Sequence, residues 1–166
     1  MSHPDLPSDW TAGRYEKNRE SYYDPPSSSN PSRILLWGMM EGDAGHRLYD
    51  IPMDASVEEI VQVFQVGAHN AYIRGVNEQE SVDMTASVAK KIEKLIPFRV
   101  IFADQAGLKL KFERQITEPE LQNLEGWLTK DDPFQAGLEI YISEWDGESP
   151  LLAPVLEENL LHLWWD

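Results

Sequence analysis

The chain has 166 residues, no cysteine and a formal charge of −15, with 29 acidic side chains against 14 basic ones. Its length suits one domain plus a tail with a real core, and the missing thiols exclude disulfides, thiolate metal sites and cysteine nucleophiles. So acidic a surface repels nucleic-acid phosphates and anionic membranes and attracts basic partners. No apolar run approaches the ~20 residues of a membrane helix. The first residues include Asp5 and Asp9 and no apolar stretch of the signal-peptide kind. A cytoplasmic, bacterial protein is the default expectation.

Residues 1–32 read as an irregular or loosely docked N-terminal arm, with five prolines, three consecutive serines and no sustained periodicity. Trp10, Tyr15, Tyr22 and Tyr23 are unusual for a linker, and Trp10 is the expected anchor. The run RILLWGMM from Arg33 suits a strand buried on both faces. Glycine and aspartate at residues 41–45 mark a turn, and His46 to Ile51 returns as a second strand. Ser56 then caps a helix, with Glu59 closing the box. Its apolar face extends to about Tyr72, although Gly67 inside it weakens the pattern by about 1 kcal/mol relative to alanine. Residues 77–80 read as a polar link, and Ser81 as the cap of a further helix that Pro97 ends.

Residues 98–145 carry the clearest fold signal. Phe98, Val100 and Phe102 alternate with Arg99, Ile101 and Ala103. After a turn at residues 104–107, Leu108, Leu110 and Phe112 alternate with Lys109, Lys111 and Glu113. A period of two marks strands, and Gly107 is expected to supply a positive φ for the hairpin. Thr117 and Glu120 form a capping box with Pro119 in the first turn, a cap worth about 1 kcal/mol. Leu121, Leu124 and Leu128 share one helical stripe. Leu138, Ile140 and Ile142 alternate as a third strand of this block. Residues 160–165, LLHLWW, form a last strand with Leu161, Leu163 and Trp165 on one face and His162 and Trp164 on the other.

The expected fold is therefore α+β. It has a mostly antiparallel sheet of five to six strands, with two to three helices packed on one face, and forms a single domain over residues 33–166.

Motifs for chemistry are sparse. His46, His69 and His162 have no helical metal spacing, and His46 with Asp43 and Glu41 reads as a polar turn before it reads as a ligand set. Asp131 with Asp132, and Asp146 with Glu148, lack the graded spacing of a calcium loop. No nucleophile elbow, Walker pattern or dinucleotide fingerprint occurs. No catalytic residue, metal or cofactor is assigned. From Gln115 onward twelve acidic residues face one lysine, Lys130. This asymmetry points to a non-enzymatic interaction protein that binds a basic protein partner, of the immunity-inhibitor or regulatory-adaptor type, without direct nucleic-acid or membrane binding. Acid-rimmed aromatics often make protein-binding anchors. The expected contact set is thus Tyr141, Glu144, Trp145, Asp146, Glu148, His162 and Trp164. Two alternatives stand beside it. One is an enzyme or small-ligand binder with a pocket between sheet and helices, containing His46, Asp43 or His162. The other is a nucleic-acid mimic.

Overall fold

A computed structural model describes residues 6–17, 19–128, 138–140 and 159–165. The class is α+β. Among the described residues seven strands form one sheet: β1 (Thr11–Tyr15), β2 (Arg33–Gly38), β3 (Arg47–Pro52), β4 (Phe98–Ala103), β5 (Gly107–Phe112), β6 (Leu138–Ile140) and β7 (Leu160–Trp165). Their order is β1-β3-β2-β4-β5-β7-β6. Every pairing is antiparallel except β2 with β4. The helices are α1 (Val57–Phe64), α2 (Ala71–Arg74), α3 (Glu78–Leu95) and α4 (Glu118–Leu128), with α2 a single turn.

The sheet has one strand more than expected, and that strand comes from the N-terminal arm. β1 pairs with β3, Thr11 opposite Asp50 and Ala12 opposite Tyr49. Only Ala12 in this strand turns to the core, so no alternation signals it in the sequence. Trp10 fixes its entry: it is 4% exposed, with its ring centroid 6.1 Å from that of Phe64. The last strand, β7, completes the chain's own sheet by lying between β5 and β6.

Strand alternation divides the sheet into two faces. Leu36, Tyr49, Ile51, Val100, Leu110 and Leu161 belong to one core with the buried faces of the helices. From α1 come Val57, Ile60, Val61 and Phe64, each worth about 2 kcal/mol of burial. Gly38 lets Phe64 approach the sheet, because a Cβ there would lie 2.6 Å from the Phe64 ring.

Two local expectations are corrected. The helix opened by Ser56, whose side chain accepts from the Glu59 amide at 3.1 Å, stops at Phe64 and does not reach Tyr72. Gln65 takes a left-handed conformation and Gly67 follows with φ +91°. The chain turns there because the Gly67 amide donates to the Gln105 carbonyl, and the glycine lies hard against α3. The second correction concerns α3. Its cap is Asn77, which accepts from the Glu80 amide at 2.8 Å, so residues 77–80 are cap and first turn. Ser81 is buried inside the helix and donates to the Gly67 carbonyl at 2.6 Å. The box at Thr117 and Glu120 forms in both directions.

Candidate functional site

The second face of the sheet carries Trp37, Phe102, Lys109 and His162 by register, and Arg14 lies over the Trp37 ring at 5.3 Å. Trp37 is 2% exposed and Phe102 7%, yet neither joins the helix-side core. Glu16, Ser21 and Asp24 of the arm lie against this face. The Glu16 amide donates to the His46 carbonyl at 2.8 Å, the Ser21 hydroxyl bonds His46, and Asp24 pairs with Lys111 of β5. The arm thus spans from the β1 edge to the middle of the sheet.

His46 is the centre of this face. Its Nδ1 lies 3.0 Å from Ser21 Oγ and its Nε2 3.4 Å from Asp104 Oδ2. Its ring stands edge-on to Phe102, centroids 4.9 Å apart. Asp104 is oriented by the turn it closes: Oδ1 accepts from the amides of Ala106 and Gly107, both at 2.9 Å. That side-chain closure also explains why Gly107 enters β5 without the expected positive φ; among the described residues the glycines that adopt one are Gly42, Gly67 and Gly75.

His162 of β7 lies close enough to feel the charge of the same carboxylate. It sits opposite Lys109. Burial pushes its imidazole down to about 4; the Lys109 charge adds to the depression and Asp104 opposes it. The imidazole is therefore neutral at pH 7. Asp43 turns elsewhere. Its Oδ2 accepts from the Met40 amide at 3.1 Å and from the Tyr49 hydroxyl at 2.6 Å, and Oδ1 lies 3.9 Å from Arg47. Burial, then this hydrogen bond, holds the Tyr49 phenol well above its usual range.

His46 thus meets Asp104, His162 feels the charge of that carboxylate, and Asp43 serves its own loop. A pocket of about 250 Å³ does open between sheet and helices, but His46, Asp43 and His162 are not among its lining residues. Among the described residues no group of three or more His, Asp or Glu side chains is placed to hold a metal ion. Of the contact set expected from the sequence, Tyr141, Glu144, Trp145, Asp146 and Glu148 lie outside the described residues. Trp164 occupies a position in β7 opposite Gly107 on one side and Glu139 on the other. Sequence reasoning passed over Ser21 and Asp104. Asp104 had a readable local role, since an aspartate three residues before a glycine is a turn signal; its contact with residues 21 and 46 had none.

The outer side of the helical layer is different in character. A groove of about 370 Å³ between α1 and α3 is lined by Glu58, Glu59, Gln62, Asp83, Ser87 and Lys90, among others. Gln62 and Gln79 donate to Asp83 Oδ1 at 2.7 and 3.0 Å, and Asn77 donates to Glu80 at 2.6 Å. Amides hold these carboxylates in place without neutralising them. Lys90 lies 3.3 Å from Glu58.

No protein-family model, curated protein or solved structure matches the chain.

Proposed function

We propose that this is an acidic, non-enzymatic interaction protein whose partner is a basic protein. The observation that carries the reading is how the charge is distributed between internal pairs and free surface. Arg14, Arg33, Arg47 and Arg114 have carboxylate partners within the chain, and the half-buried Arg74 donates to Ser81 and Thr85. Asp54, Glu59, Glu78, Glu80 and Asp83 are exposed and pair with no cation among the described residues. Among the described residues, exposed carboxylates without a cationic partner gather along α1 and the first half of α3. Such a field steers a basic surface into encounter and disfavours acidic competitors. An immunity-type inhibitor or a regulatory adaptor fits this chemistry, and the acidic, aromatic segment from Tyr141 to Glu148 extends the same charge in sequence.

The test pairs salt with charge reversal. Capture from native lysate is compared at ~0.1 M and ~1 M salt, where the screening length falls from ~10 to ~3 Å. It is repeated with a Glu59→Lys, Asp83→Lys variant. A true partner is basic, is lost at high salt and is lost by the variant. Partners that survive both changes refute steering by this face.

The contact of Ser21, His46 and Asp104 favours a second reading, hydrolysis by a serine nucleophile. The order of hydroxyl, imidazole and carboxylate is that of an activated nucleophile. Against it, Ser21 is 3% exposed, so its hydroxyl is closed to a substrate carbonyl in this fold. A fluorophosphonate probe decides: covalent labelling at Ser21 supports hydrolysis, and an unlabelled folded protein removes it.

A further inference from the structure

We propose that Tyr72 and Ile73, carried on the single turn of α2, form the apolar anchor by which this protein docks a basic protein, with Glu78 and Glu80 of α3 as its acidic rim. The inference rests on the partner reading above and names where that partner is gripped.

Both side chains stand in water. Tyr72 is 81% exposed, more than any other large hydrophobic side chain among the described residues, and Ile73 beside it is 46% exposed. Single apolar residues on a surface are ordinary; what sets this pair apart is how firmly its turn is held. α2 lies on an excursion between α1 and α3 that begins at Gly67 and ends at Gly75. At the first end the Gly67 amide donates to the Gln105 carbonyl, and the Gly67 carbonyl accepts from the Ser81 hydroxyl at 2.6 Å. At the second end the amides of Gly75 and Val76 donate back to the carbonyls of Tyr72 and Ala71. Between them Arg74 Nη1 donates to the Ser81 carbonyl at 2.7 Å and to the hydroxyls of Ser81 and Thr85, both at 3.0 Å. Ser81 and Thr85 are fully buried in α3. The turn is thus tied to α3 through its polar groups, and its two large apolar side chains are left outside. A turn fixed in advance loses little freedom on binding, and tyrosine has only two side-chain torsions to order.

Charge selects the partner. From Leu48 to Ala89 the chain has seven acidic residues and one basic residue, Arg74. The Arg74 guanidinium is turned into the fold, with Nη2 buried as well. Glu78 and Glu80 occupy the first turn of α3, are exposed, and pair with no cation among the described residues. Glu78 follows Tyr72 so closely in the chain that the two backbones are at most ~20 Å apart. The complementary surface is an apolar pocket ringed by lysine or arginine. An acidic partner meets like charge, and a basic partner without the pocket leaves Tyr72 and Ile73 in water.

The probe is an amphipathic helical peptide of leucine and lysine, titrated into the full chain and followed by amide chemical shifts. Two counterparts are run beside it, one with serine for leucine and one with glutamate for lysine. Saturable shifts at Tyr72, Ile73 and Val76 are expected with the leucine–lysine peptide, with the serine–lysine peptide weaker by about tenfold and the glutamate peptide silent. Tyr72→Ser with Ile73→Ser should weaken the leucine–lysine peptide several-fold and leave the serine–lysine peptide unchanged. Glu78→Gln with Glu80→Gln, which keeps a capping side chain at the start of α3, should weaken both lysine peptides. The anchor and the steering reading fail differently. Undiminished leucine–lysine binding by a folded Tyr72→Ser, Ile73→Ser variant, or shifts that cluster away from α2, overturns the anchor alone. No saturable binding of either lysine peptide, or equal binding of the glutamate peptide, overturns both.

Discussion

The titration of His162 tests the geometry around Asp104 directly. In an unfolded chain this imidazole takes a proton near pH 6.5; in the fold, burial and Lys109 hold it down to about 4 against the pull of Asp104. The charges that act on it are Lys109 of β5, which lies opposite, and Asp104, which follows β4. At ~1.4 kcal/mol per pH unit, the gap corresponds to about 3 kcal/mol. The sign follows from which state binds the proton first. Below pH 6.5 the unfolded chain is protonated and the folded one is not, so stability is full above 6.5 and falls as pH drops toward 4. The assay is urea denaturation from pH 8 to pH 4 for wild type and His162→Gln, which stays neutral. Groups other than His162 titrate in both proteins and largely cancel in the difference. Wild type should lose up to about 3 kcal/mol more than the variant across the window, and the His162 ring proton resonances should titrate near 4. A midpoint near 6.5, or equal losses in the two proteins, would refute the buried placement of His162.

Two further predictions concern stability. Gly67→Ala should cost about 3 kcal/mol in thermal unfolding, because its φ is +91° and an added Cβ would lie 2.1 Å from Thr85 Oγ1. Gly75→Ala, with a positive φ but nothing within 4 Å of the added Cβ, should cost only about 1 kcal/mol; equal effects would disprove the close packing of Gly67 on α3. Trp10→Ala should cost about 3–5 kcal/mol. Trp10→Phe should cost much less, since the indole Nε1 is buried without a hydrogen-bond partner among the described residues. A Trp10→Ala protein as stable as wild type would mean that β1 is not held on the sheet by this ring.

What the sequence determined by itself was local. The period of two at Leu108, Leu110 and Phe112 fixed a strand and its buried face, and the box at Thr117 and Glu120 fixed the start of α4. Both depend on residues within about four positions of one another, where side-chain spacing and backbone capping act directly. Ser81 shows the limit of that reach. Its composition and place matched a cap, but its hydroxyl is used on Gly67, fourteen residues away, and Asn77 caps instead. Gly67 shows the same: the apolar period continued past it, while a bond to Gln105 broke the helix. The tertiary structure alone decided that β7 lies between β5 and β6, that the arm supplies β1 and crosses the second face, and that a bulge at Ile101 parts β4 from β2. Strand order and the meeting of His46 with Asp104 depend on the whole sheet's burial and ladder energies, to which no short stretch of sequence has access.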